Sequence, residues 1–370
     1  MHLSQINILN LWGKDKISIN FKNRVSFLTG INGSGKSTLL NIIYDTLNNT
    51  EQRRHASTSK YRFWSSYATF DNEFKISYLS LPEIEKPSDR ERLEKIVEKK
   101  SELHSLDTIN DIKEFYSILN DNNNKLLSYI SYTNDYNGEA FFKSFEASKE
   151  LDRELSVKGI YKKALAFIYQ EDRINLHDID KNNIDLSKSY WKTYKSSIDT
   201  RFSYLRDAVQ IHESYISKDM LSFVNKHKTL SLDNMMSSEL STFMEKSNEL
   251  SKVIAILDKY FNISGKEIGR DSDNKITLKY INEDEYISWP LLSRGEKTIL
   301  YLFFMVFLYK DRIGLFLLDE PEISLHVKWQ HDLIKDLSDL APDCQFIIAT
   351  HSPSLVQNNW IGNCLEISKE

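Results

Sequence analysis

The 370-residue chain is long enough for two or three domain-sized units with a sizeable buried core. Hydrophobic residues make up 41% and charged residues 27%, which excludes a disordered composition. The longest apolar run, 299–309, is too short to cross a membrane, and the N-terminal sequence lacks a secretory signal pattern. A net charge of −5 disfavours an obligate DNA binder. The two cysteines, Cys344 and Cys364, predict buried thiols in a reducing cytoplasm.

The first part of the sequence predicts antiparallel strands around a strand–loop–helix unit. Apolar and polar residues alternate over 6–12, 17–21 and 74–78, as in half-buried strands. Between them, the apolar run Val25–Thr29 enters a glycine-rich loop at 30–37. This part therefore predicts a β lobe joined to an α/β domain.

The glycine-rich loop fits the pattern G-x-x-x-x-G-K-[ST]. Its glycines allow a tight turn, and the helix that follows directs unpaired N–H groups and its positive dipole end to the same point. Such a loop binds phosphate, with Lys36 reaching the β and γ phosphates and the Ser37 hydroxyl coordinating Mg²⁺. The candidate nucleotide-binding residues are Asn32, Gly33, Ser34, Gly35, Lys36, Ser37 and Thr38.

After the β lobe, a charged composition with helical periodicity predicts an insertion. Apolar residues within 93–103 share one helix face, and 203–261 forms a second, strongly periodic stretch. The apolar run 164–169 predicts a buried strand that returns to the first lobe, whereas 121–124 and 132–138 predict loops. Neither helical stretch sustains the heptads of a long coiled coil, so we expect a compact helical domain.

Two predicted strands near the C-terminus end in side chains suited to catalysis. The run 315–320 is four apolar residues followed by Asp319 and Glu320, which suits a buried parallel strand with acids at its carboxyl end. We expect Asp319 to hold Mg²⁺ and Glu320 to orient or deprotonate an attacking water. The next strand, 346–349, leads to His351, which is suited to donate to a γ-phosphate oxygen and sense its presence.

A second anion site is predicted before an apolar helix that begins near Thr298. The Ser293 hydroxyl and the Gly295 backbone would lie at the N-terminus of this helix. One nucleotide does not need two helix-terminal sites from the same subunit. We therefore expect the second site to serve a nucleotide held by a partner.

These four motifs resemble those of ABC-type ATPases. Their order matches the Walker A motif, the signature, the Walker B motif and the switch histidine of that family. The signature departs from L-S-G-G-Q at Arg294 and Glu296, as in the SMC-like, RecF-like and OLD-like (AAA_21-like) branch, which disfavours a transporter subunit. The sequence D-E-P-E-I-S-L-H at 319–326, the pair at 329–330 and the run 349–353 are similar to ATPase subunits of Septu-type and retron-associated anti-phage systems.

The resemblance implies an α/β fold, namely a P-loop ABC-type ATPase head with a mixed sheet, an antiparallel β lobe and a compact helical insertion domain. The expected parts are the N-terminal head at 1–81, the first part of the insertion at 82–160, the return strand with the Q-loop at 161–175, the second part of the insertion at 176–272, and the C-terminal head at 273–370.

The resemblance also implies ATP and Mg²⁺ as cofactors, and a dimer or higher oligomer in which ATP is enclosed between two heads. By this analogy Gln170 is the candidate Q-loop residue, with an ordinary surface glutamine as the open alternative. Ser293 and Gly295 would bind the nucleotide of the partner. The expected catalytic residues are Glu320, His351 and Lys36. The expected metal ligands are Ser37, Asp319 and Gln170.

The same resemblance implies a cytoplasmic ATPase that regulates a separately encoded effector, expected to be a nuclease, in bacterial anti-phage defence. No membrane partner is expected. Few residues follow His351, so we do not expect the nuclease domain that OLD-like proteins carry there. A RecF-like or SMC-like DNA-binding repair ATPase without an effector is the alternative, so a nucleic-acid partner stays open. Trp12 stays open between an adenine contact and a core or interface residue.

Overall fold

The computed structural model describes residues 2–9, 16–48, 64–72, 74–81, 126–134, 140–148, 165–170, 197–226, 238–357 and 360–367. The described strands form an antiparallel sheet of six strands, a parallel sheet of five and an antiparallel sheet of three. The α/β class expected from the sequence is confirmed. Trp12 and the predicted loop at 121–124 lie outside the described residues.

The described strands are β1 (Leu3–Leu9), β2 (Lys16–Asn20), β3 (Val25–Thr29), β4 (Trp64–Phe70), β5 (Lys75–Leu81), β6 (Leu126–Asn134), β7 (Ala140–Ser148), β8 (Ala166–Gln170), β9 (Lys266–Arg270), β10 (Ile276–Tyr280), β11 (Tyr286–Ile287), β12 (Leu315–Asp319), β13 (Gln345–Ala349) and β14 (Cys364–Glu366). The described α-helices are α1 (Lys36–Leu47), α2 (Ser197–Lys226), α3 (Ser238–Phe261), α4 (Arg294–Tyr309), α5 (Val327–Leu340) and α6 (Pro353–Val356). Within the described ranges, no helix is both long and apolar enough to cross a membrane.

The six-stranded sheet forms the predicted β lobe, in the order β2-β1-β4-β5-β7-β6. In β1 the side chains of Ile6 and Ile8 are fully buried, whereas Asn7 between them is partly exposed. This alternation is the pattern of a strand with one face on the core. Strands β4 and β5 form a hairpin around residues 71–72.

Strands β6 and β7 correct the prediction that 82–160 is helical. They pair with each other, and β7 pairs with β5. Strand β6 also includes residues 132–134, which the sequence pattern assigned to a loop. Both strands are rich in aromatic residues, and the sequence between them contains Asn137-Gly138, which together signal a hairpin. The helical periodicity of 93–103, which lies outside the described residues, therefore does not continue through the hairpin.

Strand β9 corrects the end of the second predicted helical part, 176–272. It pairs with β10 in the three-stranded sheet, from Ile276 opposite Arg270 to Tyr280 opposite Lys266. Its sequence contains charged residues and a glycine, which have low strand propensity. Pairing with β10 therefore determines this strand, and the local pattern does not reveal it.

The parallel sheet places the predicted site residues at one edge. Its strand order is β14-β3-β13-β12-β8, with β3 leading into the glycine-rich loop. Asp319 at the end of β12 lies opposite Ala349 of β13 and Gln170 of β8. The return strand predicted at 164–169 is thus β8, which pairs with β12. In open α/β sheets, ligands bind at the carboxyl ends of such strands.

Helix α4 is the centre of the larger hydrophobic cluster. Phe303 and Phe304 are fully buried, as expected for a helix covered on all sides. Phe202 near the start of α2 and Phe261 at the end of α3 belong to the same cluster. These parts of the predicted insertion therefore pack into the core around α4, and the domain boundaries stay a prediction.

Candidate active site

The glycine-rich loop between β3 and α1 turns at three glycines with positive φ angles. These angles are 141° at Gly30, 76° at Gly33 and 101° at Gly35, a region that favours glycine. A Cβ at Gly30 would lie 2.5 Å from the backbone oxygen of Ile367, so no side chain fits there. The Ser34 hydroxyl is buried and has no hydrogen-bond partner among the described residues. A phosphate oxygen would satisfy it, so the loop fits a phosphate group.

Lys36 is buried at the start of α1, with 4% of its surface exposed. Its ammonium donates to the carbonyl oxygens of Gly30 at 3.1 Å and Ile31 at 3.3 Å. It also lies 2.7 Å from Nε2 of His351. Burial lowers the pKa of Lys36, and nearby carboxylates, Glu320 first, oppose this effect. The ammonium is thus held where it can compensate the charge of a bound phosphate.

The three predicted metal ligands lie together at the end of β12. The Ser37 hydroxyl donates to Oδ1 of Asp319 at 2.9 Å. The Gln170 amide donates to Oδ2 of Asp319 at 3.3 Å and to Oδ1 of Asn41 at 2.7 Å. The Ser37 hydroxyl and the Asp319 carboxylate supply oxygen ligands of the kind that Mg²⁺ prefers, whereas the Gln170 amide presents its N–H₂ group here and would have to turn its oxygen towards the ion. These residues therefore fit a magnesium ion bound together with phosphate.

Glu320 and His351 lie side by side after β12 and β13. Glu320 has a φ angle of 50°, and its backbone N–H donates to the carbonyl of Ala349 at 2.8 Å. Its Oε1 lies 3.8 Å from Nε2 of His351, and the side chains of His351 and Glu320 are 34% and 30% exposed. Both groups can therefore reach a water or a ligand in front of the sheet edge, as general acid–base catalysis requires.

Ser293 and Glu296 form a capping box at the start of α4. The Ser293 hydroxyl accepts from the N–H of Glu296 at 3.3 Å, and the Glu296 carboxylate accepts from the N–H of Ser293 at 2.7 Å. The same carboxylate pairs with the Lys266 ammonium at 2.6 Å. Because this box fixes the helix N-terminus, α4 begins at Arg294 and not near Thr298 as predicted. Signature residues 293–296 thus form the N-cap and the first turn of α4.

Gly295 packs against the turn that follows β12. A Cβ at this position would lie 2.5 Å from the carbonyl oxygen of Ser324. Ser324 itself has a φ angle of 67°. The close approach explains why glycine is required at this position, whereas Arg294 beside it is exposed.

The structure gathers most of the predicted site residues, but not those of the signature. Ser293 is the N-cap of α4, and Gly295 lies in its first turn. The remaining loop residues, Asn32, Gly33, Ser34, Gly35 and Thr38, precede α1 or lie in its first turn. The residues that meet at the sheet edge are Lys36, Ser37, Gln170, Asp319, Glu320 and His351.

Two residues that hold Gln170 were not predicted from the sequence. Asn41 lies one helical turn after Ser37 on α1, a spacing that could have identified it. Arg201 of α2 donates to the Gln170 carbonyl at 2.6 Å and lies 5.5 Å from the centre of the Tyr169 ring. No local pattern reveals Arg201, because only the fold brings α2 to β8.

Comparison with known proteins identifies the family to which the chain is similar. A family model described as an AAA ATPase domain (AAA_15) matches residues 1–356. The retron Vc95 probable ATPase of Vibrio cholerae serotype O1 biovar El Tor is 26% identical over an alignment of 377 positions that covers 92% of this chain and 68% of that protein. The retron Ec83 probable ATPase of Escherichia coli is 22% identical over an alignment of 405 positions that covers 98% of this chain and 71% of that protein.

A further relative carries the name of a nuclease. Endonuclease GajA of Bacillus cereus (strain VD045) is 24% identical over an alignment of 375 positions that covers 96% of this chain and 56% of GajA. The chain therefore spans little more than half of GajA. Among solved structures, an SmcHead bound to the C-winged helix domain of ScpA aligns with all of this chain and 95% of that chain, at a TM-score of 0.46 and 12% identity.

Proposed function

The chain belongs to the AAA ATPase domain family AAA_15 and is an ATPase, and we propose that its ATP site is the sheet edge where the phosphate loop meets Asp319 and Glu320. The observation that carries this proposal is the set of side-chain contacts at this sheet edge. Ser37 and Gln170 both bond Asp319, while Lys36 reaches His351 beside Glu320. The phosphate loop, the candidate metal ligands and the candidate catalytic residues thus face one position.

In this proposal the phosphate loop and Lys36 bind the β and γ phosphates. Ser37, Asp319 and Gln170 would hold Mg²⁺, which would supply positive charge to neutralise the phosphate oxygens. Glu320 accepts a proton from the attacking water, a role that the partial exposure of its carboxylate supports. His351 donates a hydrogen bond to the γ phosphate and so stabilises the negative charge that develops there during hydrolysis.

Glu320→Gln tests the catalytic assignment. We expect ATP turnover to fall by about a hundredfold or more, with ATP still bound, because a positioned general base contributes about 10²–10⁴ to a rate. Phosphate release and ATP titration measure the two quantities. Glu283→Gln, at an exposed turn position between β10 and β11, is the matched control. Turnover by Glu320→Gln at the control rate would remove Glu320 from the mechanism.

We further propose that two chains enclose ATP, with Ser293 and Gly295 of one facing the nucleotide of the other. Ser293 is exposed at the N-terminus of α4, a position that binds anions. Large apolar side chains are also exposed on the phosphate loop, before the signature and at the start of α5, namely Ile31 (81%), Leu291 (78%) and Val327 (62%). A dimer of this kind would cover such side chains.

For the biological role we propose an anti-phage regulator that acts with a separately encoded nuclease. The relatives named as retron ATPases and as endonuclease GajA support this role. Co-expression with the product of the neighbouring gene tests it, with phage plating as the readout and Lys36→Ala as the inactive control. Protection that needs both genes and an intact Lys36 is expected. Salt-sensitive, ATP-dependent duplex binding by the chain alone, without protection, would favour the DNA-repair alternative.

A further inference from the structure

The turn 320–325 after β12 contacts both parts of the proposed site. It begins at Glu320, whose backbone N–H bonds the carbonyl of Ala349 at 2.8 Å. At its other end the carbonyl of Ser324 packs on Gly295 in the first turn of α4. The turn therefore connects the catalytic carboxylate with the signature helix.

Glu322 lies inside this turn and points towards the segment that carries the histidine. Only 7% of its surface is exposed. Its Oε1 accepts a hydrogen bond from the Thr350 hydroxyl and, at 3.3 Å, one from the backbone N–H of His351. One carboxylate oxygen thus holds the two residues that follow β13.

The burial of Glu322 is costly, which points to a role beyond filling space. Its second oxygen, Oε2, is buried without a hydrogen-bond partner among the described residues. Burial raises the pKa of Glu322, although the bonds from Thr350 and His351 oppose this effect. An apolar side chain of similar volume would avoid the desolvation cost. The strong acceptor is therefore expected to serve the groups it binds.

A second side chain makes a parallel connection. The Gln330 amide of α5 donates to the carbonyl of Leu325 at 3.0 Å, and its Oε1 accepts from the Ser352 hydroxyl at 2.8 Å. Glu322 binds the start of the segment 350–352, and Gln330 binds its end. The segment with His351 is thus attached to the turn 320–325 at both sides.

We propose that Glu322 is a positioning residue that keeps the His351 side chain beside Glu320, so that both act on one nucleotide. The proposal rests on the ATP site proposed above. Glu322 does not touch the reacting groups. It acts through Thr350 and the backbone of His351, which keeps the His351 ring 3.8 Å from the Glu320 carboxylate.

Paired substitutions separate the acceptor from the shape of the side chain. Glu322→Met keeps the length but removes the acceptor, whereas Glu322→Gln keeps an amide oxygen. We expect kcat to fall by about tenfold to a hundredfold in Glu322→Met and by about threefold or less in Glu322→Gln, with KM for ATP nearly unchanged, since misplacing a catalytic group by about 1 Å can cost a hundredfold.

Thr350 supplies a second matched pair from the donor side. Thr350→Val removes the hydroxyl at nearly constant shape, and Thr350→Ser keeps it. We expect about tenfold lower kcat in Thr350→Val and near wild-type kcat in Thr350→Ser. Because both residues act through one hydrogen bond, the double variant Glu322→Met/Thr350→Val should lose little more than Glu322→Met alone. Equal kcat in the two members of each pair, or fully additive losses, would overturn the proposal.

Hydrogen exchange keeps the test independent of ATP turnover. In the full chain without nucleotide, peptides that contain the His351 amide should exchange faster in Glu322→Met than in Glu322→Gln, because only Met removes its acceptor. Unchanged exchange would show that Glu322 does not hold the backbone of His351, and would overturn the proposal. If Glu322 does hold this backbone but wild-type protein does not hydrolyse ATP, the proposed active site fails, and the positioning role of Glu322 in catalysis fails with it. Thermal unfolding of each variant identifies any that lose activity through misfolding.

Discussion

Lys36 illustrates at the scale of a single residue how burial and charge act together. Its ammonium is buried and bonded to two loop carbonyls, so its charge is already placed where a phosphate would bind. The side chain therefore needs little reordering on binding, which favours affinity. The pKa of the group is lowered by burial in this state, and a bound phosphate would counteract that effect.

We expect Lys36→Ala to weaken ATP binding by about tenfold to a hundredfold, since hydrogen bonds to charged groups contribute about 1.5–3 kcal/mol. Titration calorimetry with ATP and Mg²⁺ measures the dissociation constant. Lys335→Ala, at an exposed lysine of α5, is the control. An ATP dissociation constant that is the same in both variants would contradict the phosphate-binding role of Lys36.

The buried carboxyl of Glu322 makes a prediction about pH and stability. Burial raises its folded-state pKa above the ordinary value of 4.5, so the unfolded chain loses this proton first as the pH rises. The contribution of Glu322 to the free energy of unfolding therefore decreases from about pH 4.5 upwards, until the pH has passed the folded-state pKa. The free energy of unfolding of Glu322→Gln minus that of wild type should accordingly increase with pH across this window.

Urea unfolding of both proteins at several pH values between about 4.5 and 8 measures this difference. Glu283→Gln is again the control, because this glutamate is exposed. Parallel pH profiles for wild type and Glu322→Gln would show that Glu322 does not titrate abnormally in the folded chain.

At the scale of elements, the contact between α4 and the turn after β12 depends on the absence of a side chain. A Cβ on Gly295 would meet the Ser324 carbonyl at 2.5 Å, whereas a Cβ on Gly362 would meet nothing within 4 Å. We expect Gly295→Ala to lower the free energy of unfolding by about 1–3 kcal/mol, as overpacking does. Gly362→Ala, the matched control, should leave it nearly unchanged. Chemical denaturation measures both, and equal stabilities would contradict the packing described for this turn.

The elements also show which features of the fold a sequence can reveal. The phosphate loop and the strand ending in Asp319 and Glu320 are contiguous patterns, so their type and position followed from local rules. Strand β9 was missed because it has low intrinsic strand propensity and acquires its conformation from pairing with β10. Strands β6 and β7 were missed although their aromatic residues and the intervening Asn137-Gly138 signal a hairpin.

The same distinction applies to the site. The position of Gln170 beside Asp319 was expected only from a family resemblance, and strand register produces it. The bonds from Arg201 to Gln170 and from Thr350 to Glu322 join segments far apart in the chain. No periodicity or motif encodes such pairs, because each depends on how whole elements pack.

At the scale of the whole molecule, the position of the signature residues on α4 leads to a prediction about assembly. The chain has a mass of 43.3 kDa. We expect Glu320→Gln with ATP and Mg²⁺ to double in mass, because bound ATP is not consumed and continues to bridge two chains. Light scattering after size-exclusion chromatography measures the mass with and without ATP. Equal masses in the two conditions would contradict ATP-dependent pairing.

Complementation between two inactive variants tests the shared ATP site most directly. Lys36→Ala removes the phosphate-loop side of a site, and Ser293→Asp adds a negative charge on the partner side while keeping a good helix cap. Each variant alone should be nearly inactive. An equimolar mixture should regain up to about a quarter of the wild-type ATPase rate, because half of randomly formed dimers hold one intact site of two. A mixture no more active than its two components would contradict a site built from both chains.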